Sequence, residues 1–146
     1  MERRVTHSLV NALRDVPSFA SVDERILLAM IGDSANLYWP AGRVVFERGS
    51  PADGLYIVIS GGVRVVGDNG STVASLGPGD FFGELSLLLG TAHQHGVYVD
   101  EAAELMIVPK EKFDELMTSN PELGRHIRRK AEERMTASAQ RSAPPS

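Results

Sequence analysis

Ten glycines between residues 42 and 83 constrain this chain more than any other feature. They cut the stretch 37–108 into short segments such as RVVFERG, GLYIVISGGVRVVG, STVASLG and GVYVDEAAELMIV, rich in Val, Ile, Tyr and Phe. Short β-prone runs at close spacing with glycine turns predict a β-sandwich or barrel. GDNG at 67–70 predicts a tight hairpin, because Asn-Gly supplies the positive φ angles such turns need. LYIVISGGVRVV mixes alternating and continuous apolar positions, as in strands with one face in a core.

The flanks read as helix. Val5, Leu9, Ala12 and Leu13 recur at helical spacing, PSFA interrupts, and Ser21 with Glu24 forms a capping box before a second helix ending near Gly32. After the β-region, PKEKFDELMTSN returns to helix. Asn120 then reads as the N-cap of a last helix over roughly 121–138, with Pro121 in its first position and the stripe Leu123, Ile127, Ala131 and Met135. The expected organisation is therefore mainly β with flanking helices. Residues 1–36 form an N-terminal helical segment, 37–109 the barrel, 110–138 the C-terminal helices and 139–146 a disordered tail.

The bulk numbers narrow the function. A chain of 146 residues suits one domain. Its net charge of −4 draws it to neither nucleic acid nor an anionic membrane, and its lack of cysteine excludes thiol chemistry and thiolate zinc sites. Without a signal-like N-terminus or a membrane-length apolar run, a cytoplasmic location is the expectation.

The strings VPSFASVDE, YWPAGRVVFERGSPADGLYIVISGGVRVV and LGPGDFFGELSLL, in that order, resemble the cyclic-nucleotide-binding domain of catabolite activators, kinase regulatory subunits and nucleotide-gated channels. The resemblance covers roughly residues 10–135. It implies an eight-strand double-stranded β-helix, or jelly roll, with an inserted phosphate-cassette helix at 83–88 and C-terminal hinge or lid helices. A short helix starting near Gly83 presents unpaired N–H groups and the positive end of its dipole, and a glycine there lets a phosphate approach the backbone. By resemblance, Glu84 binds the ribose 2′-hydroxyl and the amides of Gly83, Leu85 and Ser86 line the cyclic phosphate. Val65, Val73 and Ala74 pack on base or ribose, and the ligand is cAMP or cGMP. The individual residues also have ordinary readings: Gly83 as a turn, Glu84 as a cap of its own helix, Leu85, Leu87 and Leu88 as core.

One position departs from the pattern. Aligned on GTA at 90–92, the arginine of the family's phosphate loop falls on His93, followed by Gln94, His95 and Gly96. Arginine offers a permanent, two-pronged donor set, whereas histidine is half protonated only near pH 6.5. Three readings stay open: weakened or altered nucleotide binding through Glu84, His93 and Gln94; a protein-interaction module that keeps only the fold; and a site retuned for another ligand. A cupin-like metal enzyme would use His93 and His95 with Asp100 or Glu101, but the third histidine of that scheme is missing. The basic residues of the last helix, Arg125, Arg128, Arg129, Lys130 and Arg134, read as a solvated face. The expectation is a non-enzymatic sensing or docking module with no cofactor, an unknown effector protein and a homodimer through the C-terminal helix as an option.

Overall fold

The computed structural model describes residues 9–20, 22–67 and 69–142. Val5, Ser21 and residues 143–146, which carry parts of the readings above, lie outside the described residues. Helix α1 occupies residues 9–14, and a 3-10 turn follows at Pro17–Phe19. Helix α2 spans Glu24–Asp33. Its N-cap is Asp23, whose carboxylate accepts from the Arg25 amide at 2.8 Å, so Glu24 is the first helical residue rather than the far arm of a capping box.

Six antiparallel strands follow: β1 (Ala35–Trp39), β2 (Val44–Phe46), β3 (Gly54–Val66), β4 (Thr72–Leu76), β5 (Phe81–Phe82) and β6 (Gly96–Pro109). The expected eight are six because β3 and β6 each run through both halves of the barrel. The first half of β3 pairs with β5, the second with β4; the two halves of β6 pair with β2 and then β1. Between the halves, the β3–β6 register shifts around Ser60–Val63. Gly61 permits the bend. It has φ +77°, and a Cβ there would lie 2.1 Å from the Ala102 carbonyl oxygen. The hairpin between β3 and β4 closes through Gly67 N–H donating to Ser71 O at 2.9 Å. Among the described residues only glycines have positive φ, Gly70 among them; Asn69 contributes its side chain instead, accepting from the Ser71 amide.

Alternation along the strands separates two apolar clusters. Leu55, Ile57, Phe81, Met106 and Val108 point to the helices, meeting Leu13, Phe19, Leu27, Phe113 and Ile127. Tyr56, Val58, Phe82, Ala103 and Leu105 point into the barrel, with Val63, Val97 and Val99. Three helices complete the chain: α3 (Glu84–Leu89), inserted between β5 and β6, then α4 (Lys110–Ser119) and α5 (Pro121–Ser142). Helix α5 thus continues past the 138 expected from sequence, through the first residues of the presumed tail. The Asn120 side chain turns back to donate to Leu116 O instead of capping α5. Leu123, Ile127 and Ala131 are buried within the chain, so a homodimer through the C-terminal helix would have to use other residues.

Candidate functional site

Helix α3 begins where β5 leaves the sheet. Gly83 precedes it at φ +88°, and a Cβ there would sit 3.1 Å from the Gly54 carbonyl oxygen. The left-handed conformation favours glycine, and the close Gly54 carbonyl leaves little room for a side chain. The first turn of a helix leaves its N–H groups without intrahelical acceptors. The amides of Glu84, Leu85 and Ser86 are in that position, and the first backbone bond recorded here runs from Leu87 N–H to Gly83 O. Leu87 packs into the helix-side cluster, while Glu84 and Ser86 face the other way.

They face a cavity of about 360 Å³ inside the barrel mouth. All nine residues singled out from the sequence line it: Val65, Val73, Ala74, Gly83, Glu84, Leu85, Ser86, His93 and Gln94. Val65 and Ala74 are register partners on β3 and β4, which together with Val73 make an apolar wall opposite α3. Phe46, Val97 and His95 extend the lining.

His93 is held from both sides. Its N–H donates to Ser50 O at 2.9 Å, and its carbonyl accepts from Gly49 N–H at 2.8 Å. The ring stacks on Phe46 with centroids 3.6 Å apart and planes 5° from parallel. Phe46 in turn touches Tyr56 and Phe82, so His93 caps an aromatic group at the floor of the cavity. Only 4% of His93 is exposed, and its Nε2 is buried without a hydrogen-bond partner among the described residues. Burial holds the imidazole below its ordinary value of 6.5, with Asp53 pulling weakly the other way. Asp53 also accepts from the Tyr56 hydroxyl at 3.2 Å, and burial together with that carboxylate pushes the phenol upward.

Glu84 is the cavity's acid. It is 2% exposed, and its Oε1 accepts from Arg134 Nη1 of α5 at 2.6 Å. Arg134 lies with its guanidinium 5.1 Å from the Phe81 ring centre and also lines the cavity. The sequence reading placed Arg134 on a solvated face; this is a correction. Its position three residues past buried Ala131 hinted at the inner face, but Lys130, three past Ile127, shares that spacing and is exposed. Among the described residues that line the cavity, Arg134 is the one Arg or Lys, and it is matched to Glu84. For the metal-enzyme alternative, no three His, Asp or Glu side chains converge to hold an ion among the described residues.

The model of the cyclic nucleotide-binding domain matches residues 36–120, well over half the chain. The chain belongs to the cyclic nucleotide-binding domain family. It is 32% identical over 124 residues to a cyclic nucleotide-gated potassium channel of Mesorhizobium japonicum, covering 85% of this chain and 34% of the channel. Of the mycobacterial NTE-family proteins it also matches, it spans 19%. A crystal structure of a candidate cyclic nucleotide-binding protein from Geobacter metallireducens superposes with TM-score 0.72 at 26% identity, covering 87% of this chain and 95% of that one. The regulatory subunit of a cAMP-independent protein kinase A from Trypanosoma brucei shares the fold, with TM-score 0.78 at 22% identity over 89% of this chain and 48% of that one. No helix among the described residues is long and apolar enough to cross a membrane.

Proposed function

We propose that this domain is a regulatory module that binds a 3′,5′-cyclic purine nucleotide in the cavity beside α3 and reports occupancy to an effector it is joined to or docks with. One observation carries the reading: the nine residues expected from the sequence, spread over two strands, one helix and the loops on either side of it, line a single cavity around a buried carboxylate. Its size suits a small ligand. The Val65–Val73–Ala74 wall suits the flat face of a purine, and the first-turn amides of α3, which lack intrahelical acceptors, suit a phosphate.

The same cavity limits affinity. A buried His93 held below its ordinary pKa brings no charge at neutral pH, and Arg134 is engaged with Glu84. Losing a charge-assisted phosphate contact costs about 1.5–3 kcal/mol, roughly tenfold to a hundredfold in affinity. Binding is therefore weaker than in a site with arginine at position 93.

Calorimetric titration of the purified domain with cAMP and with cGMP tests the reading. One-site binding to either supports it. No heat and no competition with a fluorescent cyclic nucleotide up to about 1 mM ligand would leave the protein-interaction reading in its place.

A further inference from the structure

We propose that β1 is a strand-pairing edge through which two copies of the chain join antiparallel about a two-fold axis at Leu37. The inference is independent of the nucleotide reading, since no residue of β1 lines the cavity. Four strands have one side without a strand partner among the described residues: β1 and β4 at the ends of the sheet order, β2 beside β6 and β5 beside β3. Such edges carry unpaired N–H and C=O groups, and proteins blunt them by shortness, bulges, charge, proline or cover. β5 has two residues, and β2 has three with a register shift against β6. β4 carries a register shift against β3. β1 has none of these devices. It runs five residues, ANLYW, in unbroken register with β6, with no charge and no proline. Nor is it covered: Ala35, Asn36, Leu37 and Tyr38 are all exposed, Leu37 by 45% and Tyr38 by 72%.

The open side specifies its occupant. Main-chain donors and acceptors on a sheet edge are matched by another strand, and the sequence of β1 suits a second β1. Ser34, the C-cap of α2, and Pro40 bound the strand, so Leu37 is its centre. Antiparallel pairing about that centre uses all five residues, and any other register shortens the ladder. Leu37 then lies opposite its own copy, Ala35 opposite Trp39 and Asn36 opposite Tyr38. Alternation puts Ala35, Leu37 and Trp39 on one face and Asn36 and Tyr38 on the other, so the exposed leucines meet and each tyrosine ring lies beside an amide side chain. No like charges are brought together: β1 is neutral, and Glu104, the register partner of Tyr38 on β6, accepts from the Asn36 side chain. The two sheets become one, in the order β4-β3-β6-β1-β1-β6-β3-β4, and the open edge disappears. Five residues a side is less than a standard interface, so the dimer is a weak and reversible one. It differs from a pairing of C-terminal helices, whose Leu123, Ile127 and Ala131 are buried within the chain.

Sedimentation equilibrium of the chain from about 5 µM to about 1 mM tests this. Wild type should dimerise with a Kd of about 10–100 µM. Leu37→Lys and Leu37→Glu each place like charges together at the axis and should weaken association at least tenfold. An equimolar mixture of the two should recover a dimer, because opposite charges then face each other. Leu37 is half exposed, so either charge reaches water, and melting curves matching wild type verify the fold. Tyr38→Lys, at the more exposed of the two positions, is a second variant that should also weaken association. In wild type, raising the concentration should slow amide exchange in β1 and leave β2 unchanged. A wild type that stays monomeric throughout the range overturns the inference. So does a dimer indifferent to the charge at position 37, or a mixture of the two charge variants that stays monomeric.

Discussion

The two sides of one sheet make opposite use of burial. On the helix side, Leu55, Ile57, Phe81, Met106 and Val108 meet α1, α2, α4 and α5 in one buried apolar cluster. On the barrel side, the sheet encloses a cavity, and the buried polar or charged side chains among the described residues, Glu84, Ser86 and His93, all line it. Buried polar groups cost free energy unless paired, so their confinement to one recess separates stability from recognition across a single sheet. Helix α3 straddles the boundary, with Leu87 in the helix-side core and Glu84 and Ser86 on the cavity.

The largest expected effect is on the helix side. Phe19, fully buried between α1 and the sheet, should cost about 3–5 kcal/mol on Phe19→Ala in chemical denaturation, with ligand affinity of the folded fraction unchanged. Val65→Ala on the cavity wall should cost less than about 1.5 kcal/mol, because a half-buried side chain beside an existing hollow leaves little new void. Equal costs would dissolve the comparison. Next comes the bend that creates the recess. Gly61→Ala must place a methyl against the Ala102 carbonyl in a left-handed conformation, at a cost of about 2 kcal/mol or more, and should perturb both halves of the barrel at once.

What was legible in the sequence follows the same division. Strand texture, glycine turns and the contiguous phrase around Gly83 are local, and the family resemblance that they carry is what named the cavity's nine residues. The bend was not legible, because it depends on Gly61 meeting Ala102 on a different strand, which merges the expected eight strands into six. The helix caps differ from the expectation: Asp23 is the N-cap of α2, and the Asn120 side chain donates back to Leu116 O. Arg134 and the stack of His93 on Phe46 are tertiary pairings, and helical spacing alone gave Arg134 and Lys130 the same standing.

A third test moves charge into the recess. His93→Arg supplies a second fixed cation, one not paired with Glu84, and a guanidinium can take the imidazole's place against the Phe46 face. Affinity for the cyclic nucleotide should rise at least tenfold at pH 7.5, about 1.4 kcal/mol, measured by calorimetry. Stability of the ligand-free protein should fall, since an unpaired buried cation replaces a neutral ring. A gain in affinity without that loss would mean that the arginine reaches solvent and that the two sides differ less than the comparison holds.

The smallest effect is the pH dependence, and its sign differs between free and bound protein. In the free protein, burial holds His93 below 6.5, while the unfolded chain titrates near 6.5. Between the folded and unfolded values the unfolded state binds more protons, so the His93 contribution to stability is intact above about pH 6.5 and shrinks as pH falls through that window. Melting curves of wild type and His93→Gln isolate this contribution, and wild type should lose more stability than the variant between pH 7.5 and 5.5. A bound phosphate beside Nε2 acts in the opposite direction, raising the imidazole's pKa by opposite charge. Ligand affinity should therefore climb as pH falls through the bound-state value, with proton uptake visible as a buffer-dependent binding enthalpy. Because both effects run through the same buried imidazole, His93→Gln should flatten both curves together. If only the stability curve flattens, the ring serves the aromatic floor and the phosphate rests on the backbone amides of α3 alone.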